Sequence, residues 1–212
     1  SDIAGTTTIQ PNTWYHGAVT YDGSTLRMYV NGQLEGSAPM TLNTTLTGSG
    51  ITIGYRPGGS SWEGLIDEVN LYDRSLTAEE IANIYNRGEA GKCKPCFTPP
   101  SGLASWWTGD GNANDISGVN NGTINGATFG AGKVEQAFSL DGTNDYVDLP
   151  DAASDQLSNT TGTITVWVNP TTIGDNDIVA AFGSGNDGQG IGIGIFGNVR
   201  IYHHTGTYDW QS

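Results

Sequence analysis

Short runs in which apolar and polar residues alternate, separated by turn residues, make up most of the chain. Leu26-Arg27-Met28-Tyr29-Val30 and Gln33-Leu34-Glu35 flank Asn31-Gly32, a pair that supplies the positive φ of a tight hairpin turn. Thr163-Ile164-Thr165-Val166-Trp167-Val168 alternates with period two, as does Gln189-Gly190-Ile191-Gly192-Ile193-Gly194-Ile195, followed after Gly197-Asn198 by Val199-Arg200-Ile201-Tyr202. Further turn pairs stand at Asp22-Gly23, Asn121-Gly122, Asn125-Gly126 and Asp141-Gly142. One stretch changes period. Thr77-Ala78-Glu79-Glu80 reads as a capping box, Ile81, Ile84 and Tyr85 fall on one stripe, and Gly88 ends it. The pattern predicts an all-β, antiparallel two-sheet sandwich with one short surface helix near 78–86.

Composition narrows the function. Glycine supplies 32 of 212 residues, and charged residues are 14%, which leaves turns rather than ion pairs to organise the surface. The net charge of −14 repels phosphate backbones, so nucleic acid is not an expected partner. No apolar run approaches the ~18 residues of a membrane span. The opening Ser1-Asp2-Ile3 has neither the basic nor the apolar region of a signal peptide. Few lysines, much Thr, Asn and Gly, and abundant carboxylates suit an extracellular or cell-surface β-protein that holds Ca²⁺.

The loop Asp110-Gly111-Asn112-Ala113-Asn114-Asp115 offers alternating side-chain oxygens around a glycine. Hard oxygens in such an arrangement suit Ca²⁺, with Asp110, Asn112 and Asp115 as candidate ligands; the same residues also make plain Asx-turns. Sugar recognition needs exposed rings that stack on pyranose faces, and Tyr55, Trp62, Tyr202, Tyr208 and Trp210 are the candidates; core or junction packing is the alternative for each. Trp14, Trp106, Trp107 and Trp167 lie in apolar-alternating strands and are expected in the core. Catalysis is not expected. Glu63 and Asp67 share a strand face but stand ~13 Å apart at the rise of a strand, whereas Asp67 and Glu68 point to opposite faces. No nucleophile elbow, zinc-protease or P-loop motif is present. Cys93 and Cys96 sit in a Pro-rich stretch past the helix, outside any redox-motif setting. A local disulfide, a staple between repeats and a shared Zn²⁺ half-site stay open for them.

Three segments carry a resemblance. The first is Thr13-Trp14-Tyr15-His16 through Asp22-Gly23 with Tyr29-Val30-Asn31-Gly32. The second is Gly64-Leu65-Ile66-Asp67-Glu68-Val69-Asn70-Leu71-Tyr72 running into Leu76-Thr77-Ala78-Glu79-Glu80-Ile81. The third is Leu103-Ala104-Ser105-Trp106-Trp107 with Ala137-Phe138-Ser139-Leu140-Asp141-Gly142-Thr143-Asn144-Asp145-Tyr146-Val147. Together they resemble the bacterial laminin-G-like family, which implies a concanavalin A-like jelly roll. The resemblance also implies that the Asp110–Asp115 loop lies near the Ile-Asp-Glu-Val strand, where Asp67 adds a carboxylate to the calcium set.

The order of the segments departs from that family. Residues 1–91 resemble its second half and 102–212 its first, with 92–101 as a Cys/Pro linker. Joining Thr207–Ser212 to Ser1–Ile3 as one strand restores the family order. Three arrangements follow: one period of a tandem array, subunits that complete each other head to tail, or a chain that folds back as a permutant. The proline-rich linker leans toward the array. The expectation is a non-enzymatic structural or adhesive module of an extracellular filament or tandem-repeat surface protein, whose partners are other copies of itself. The alternative is a carbohydrate-binding, lectin-like module.

Overall fold

The computed structural model describes residues 3–40, 51–56, 60–88, 98–154, 161–174, 177–184 and 189–205. The first part of the chain forms β1 (Ile3–Thr8), β2 (Tyr15–Tyr21), β3 (Thr25–Val30), β4 (Gln33–Pro39), β5 (Ile51–Ile53), β6 (Tyr55–Arg56), β7 (Ser60–Ser61), β8 (Glu63–Tyr72) and helix α1 (Ala78–Arg87). The rest forms β9 (Leu103–Trp107), β10 (Thr123–Asn125), β11 (Thr128–Ala131), β12 (Gln136–Asp141), β13 (Tyr146–Leu149), the one-turn α2 (Asp151–Ser154), β14 (Gly162–Pro170), β15 (Asp177–Ser184), β16 (Gln189–Phe196) and β17 (Asn198–Thr205).

Local chemistry sets the connections. Asn31 and Gly32 both take positive φ, 48° and 77°, so β3 turns directly into β4. In α1 the Thr77 hydroxyl accepts from the Glu80 N–H while the Glu80 carboxylate takes the Thr77 N–H, and Arg74 adds a paired contact to Glu80. Ile81 and Ile84 then dock on Ala18, Tyr29, Tyr72 and Leu76.

Two antiparallel sheets face each other. One runs β1-β17-β16-β15-β5-β13-β10, the other β11-β12-β8-β14-β2-β3-β4, with β9 paired to the far end of β8. The core between them holds Leu26, Met28, Ile53, Ile66, Leu71, Trp107 and Phe138. Helix α1 covers the outer face of the second sheet, so β2 is buried on both sides.

The two sequence halves interleave. β5 lies between β13 and β15, β8 between β12 and β14, and β14 between β8 and β2. Among the described residues both sheets thus draw strands from both parts of the chain. The expected strand across the chain ends, Thr207–Ser212 with Ser1–Ile3, lies outside the described residues but for Ile3; among those described, β1 runs antiparallel beside β17, with Ile3 opposite Ile201 and Ala4 opposite Arg200. The Cys/Pro segment ends in an anchor, since Gly102 O accepts from the Asp73 N–H and Ser101 O from Arg74 Nε.

β1 is also sewn to the other sheet. Its ladder with β17 breaks between Ala4 and Thr8. The Thr6 and Thr7 N–H groups there donate to Glu35 Oε2 at 2.7 and 3.0 Å, and the Thr7 hydroxyl donates to Glu35 Oε1. Close approach requires glycine at 36, where a Cβ would fall 2.3 Å from Ile3 Cγ2.

Candidate functional site

Strand β8 carries the acidic residues. Alternation places Ile66 in the core and Asp67 on the outer face. The register on β14 then slips, with Asp67 opposite Trp167 but Asn70 opposite Thr165, so three steps on β8 match two on β14. Glu68 is the extra residue and sits in the left-handed region at φ 55°. Its carboxylate accepts from Trp106 Nε1 at 2.9 Å. Trp106 pairs with Asn70, on the outer face. The expectation that Asp67 and Glu68 face opposite ways is therefore corrected: the bulge turns both toward the outer side.

Asp67 is fully buried. Its Oδ2 accepts from the Val134 N–H at 2.9 Å, and Gly132 leaves the room, since a Cβ there would stand 2.7 Å from that oxygen. Burial pushes the carboxyl up to about 8, against the Val134 hydrogen bond and with further upward push from the Glu68 and Asp110 charges. Its Oδ1 has no hydrogen-bond partner. Asn70 Oδ1, Thr165 Oγ1, Thr20 Oγ1 and the Tyr72 hydroxyl are buried without one as well. Over Asp67's neighbour, Lys133 Nζ stands 5.0 Å from the Trp167 ring centre, and Tyr85 stacks on the same indole.

Asp110 joins this region from the loop after β9, accepting the Gln136 N–H on Oδ1 at 3.0 Å. The other two loop candidates are engaged elsewhere. Asn112 Oδ1 accepts the Asn114 N–H at 2.8 Å, and its amide nitrogen donates to Asp110 O. Asp115 organises the loop: its Oδ1 accepts from Trp106 N, Ser117 N, Ser117 Oγ and Gly118 N, and its Oδ2 from Asn120 N. Oxygens ringed by donors are spent on the fold. So the structure brings Asp67 and Asp110 together and holds Asn112 and Asp115 in turn-forming roles. Among the described residues no three His, Cys, Asp or Glu side chains gather in a metal-holding group.

The aromatic candidates separate. Trp62 is corrected: its side chain is fully buried in the inter-sheet core and presents no face to a sugar. Tyr55 is half-buried and stacks on Tyr146, with ring centres 5.2 Å apart and planes at 29°. Tyr146 is not among the aromatic candidates that the sequence offers for sugar stacking. The alternation of β13, with Val147 and Leu149 buried and Asp148 exposed, marks its outward face. Asn125 stands opposite Tyr146, while Thr123 and Thr52 stand opposite Asp148 on either side. An aromatic pair thus sits beside an amide, a carboxylate and hydroxyls on the outer side of the first sheet. Tyr208, Trp210, Cys93 and Cys96 lie outside the described residues, as does the side chain of Tyr202.

A family profile described as Concanavalin A-like lectin/glucanases superfamily, of laminin-G-like type, matches residues 1–82 and 141–212. No curated protein and no solved structure matches the chain.

Proposed function

The chain belongs to this laminin-G-like family of the concanavalin A-like superfamily, and from that premise we propose a non-enzymatic, extracellular adhesive module that binds carbohydrate. The stacked Tyr55–Tyr146 pair carries the reading. Flat, partly solvated rings offer C–H faces of a pyranose a dispersion and quadrupole contact. The Asn125 amide and Asp148 carboxylate supply directional hydrogen bonds at the rim. A surface of net charge −14 disfavours sulfated or uronic chains, so neutral or amino sugars are the ligand class. The non-enzymatic part is supported by Asp67 and Glu68, which at 0% and 2% exposure are out of reach of a glycosidic oxygen. Among the described residues no helix is long and apolar enough to cross a membrane.

A glycan array followed by calorimetry tests the assignment. Tyr146→Ala is expected to weaken the bound neutral glycan at least about tenfold, and Asp148→Asn to weaken it less, since stacking contributes roughly 1–3 kcal/mol. Binding to no glycan, or binding indifferent to Tyr146→Ala, refutes it.

Head-to-tail assembly is a second reading, favoured by one observation. β1 is a sheet-edge strand whose backbone ladder is confined to β17. Exchange of β1 onto the β17 of another copy would give a heterologous, open-ended contact. Glu35→Ala removes the bonds that hold Thr6 and Thr7. Light scattering across concentration is expected to show oligomers that grow in this variant. A monomer at every concentration in both proteins ends this reading.

A further inference from the structure

The rim around the Tyr55–Tyr146 stack offers acceptors and few donors. Asn125 stands directly opposite Tyr146, and its amide nitrogen donates to Thr123 O at 3.2 Å, which leaves Oδ1 for a ligand. The Thr52 hydroxyl, opposite Asp148, is spent on Tyr55 O. Asp148 stands one same-face position beyond Tyr146, ~6.6 Å along the strand, exposed and outside the ion pairs found among the described residues. The carboxylates before β13 differ from it. Asp141 Oδ1 accepts the Thr143 N–H at 2.8 Å and Asp145 Oδ2 the Asp141 N–H at 3.2 Å, so both are occupied in the turn.

Flat rings beside such a rim select a ligand that is apolar on one face and rich in N–H groups at its edge. A protonated amino sugar has that shape. Its C–H face lies on Tyr146, and its ammonium brings three donors and a positive charge. The contact with Asp148 is then a charge-assisted hydrogen bond, stronger than one from a hydroxyl. An N-acetyl group in the same place brings a single N–H and no charge, and glucose brings only a hydroxyl.

We propose that the Tyr55–Tyr146 face binds non-acetylated amino sugars, as in glucosamine oligomers, with Asp148 as the specificity residue that takes the ammonium. This rests on the glycan reading above and goes further by naming the sugar. The net charge of −14 adds an unspecific attraction for any cation, so a ligand of equal charge without the sugar ring is the necessary control.

Calorimetry on the full chain, in mildly acidic buffer of moderate salt, compares short oligomers of glucosamine, of N-acetylglucosamine and of glucose. The glucosamine oligomer is expected to bind about tenfold more tightly than either of the others, and oligolysine of equal charge not to displace it. Asp148→Asn is expected to erase the preference and Asp148→Glu to keep most of it. The position is exposed, so neither change disturbs the core. Glu79→Gln, which removes an exposed charge from α1 on the other sheet, is expected to leave the preference as it is. The proposal is overturned by equal binding of the three oligomers or by a preference that survives Asp148→Asn. It is equally overturned by displacement with oligolysine, or by a preference that Glu79→Gln lowers as much as Asp148→Asn does, either of which assigns the effect to overall charge. Equal binding of the three leaves the glycan reading standing, whereas binding of none removes both.

Discussion

Trp62→Ala is expected to remove most of the stability of the domain. The indole is fully enclosed, and the backbone around it is committed to both sides, with the Trp62 N–H donating to Gly54 O and Trp62 O accepting from the Gly142 N–H. No movement of one strand can refill the space. Truncating a buried tryptophan costs about 3–5 kcal/mol, against a total of roughly 5–15 kcal/mol for a domain. Urea unfolding followed by circular dichroism measures the loss. Trp62→Phe makes the sharper comparison. The indole Nε1 is buried without a partner, so phenylalanine discards an unsatisfied N–H along with part of the ring. It should cost clearly less than alanine and leave the proposed glycan contact of Tyr55 and Tyr146 unchanged. A Trp62→Ala protein as stable as the parent would place the indole outside the core.

The second large effect is a fall in stability with rising pH. Asp67 has an ordinary value of 3.8 and is held up to about 8 in the folded chain. The folded state therefore keeps a proton that the unfolded state releases. The favourable contribution is complete below 3.8 and is lost as pH rises through 8, with a slope of up to ~1.4 kcal/mol per pH unit between them. The unfolding free energy is expected to decline from pH 5 to pH 8 by an amount on the order of a few kcal/mol. Asp67→Asn, neutral throughout, should flatten that decline. A parent protein whose stability climbs with pH over this interval would contradict the assignment.

Features set by neighbours in the chain are legible in the sequence. The capping box at Thr77 and Glu80 and the Asn31-Gly32 turn are local chemistry, and both appear where their residues stand. The period-two runs yield β3, β14, β16 and β17 for the same reason. What depends on distant contacts is not legible. Trp62 is flanked by glycines and serines, a polar setting that reads as surface. Its place in the core is fixed by distant chain, as in the Gly142 N–H donated to Trp62 O from the turn after β12. The bulge at Glu68 is equally hidden, because a glutamate in the left-handed region carries no compositional mark. The Asp110–Asp115 loop illustrates a different ambiguity: oxygens that suit a cation are the same oxygens that collect N–H donors in a turn. Tyr146 did have a signal, the alternation Tyr146-Val147-Asp148-Leu149. The phenylalanine-to-valine motif around it is dominated by buried positions, Phe138, Leu140 and Val147, which mask the outward ring.

The side-by-side placement of the first and last strands has a mechanical consequence. Ile3 is opposite Ile201, and β17 runs on past it to Thr205, so both described ends of the chain lie toward the same end of this sheet edge. Tension applied through those ends loads the β1–β17 ladder in peeling rather than in shear, breaking its bonds one after another. Under stretch, such a module would yield by shedding its outermost strand first, at low force, while the Tyr55–Tyr146 edge at the opposite end of the same sheet stays folded.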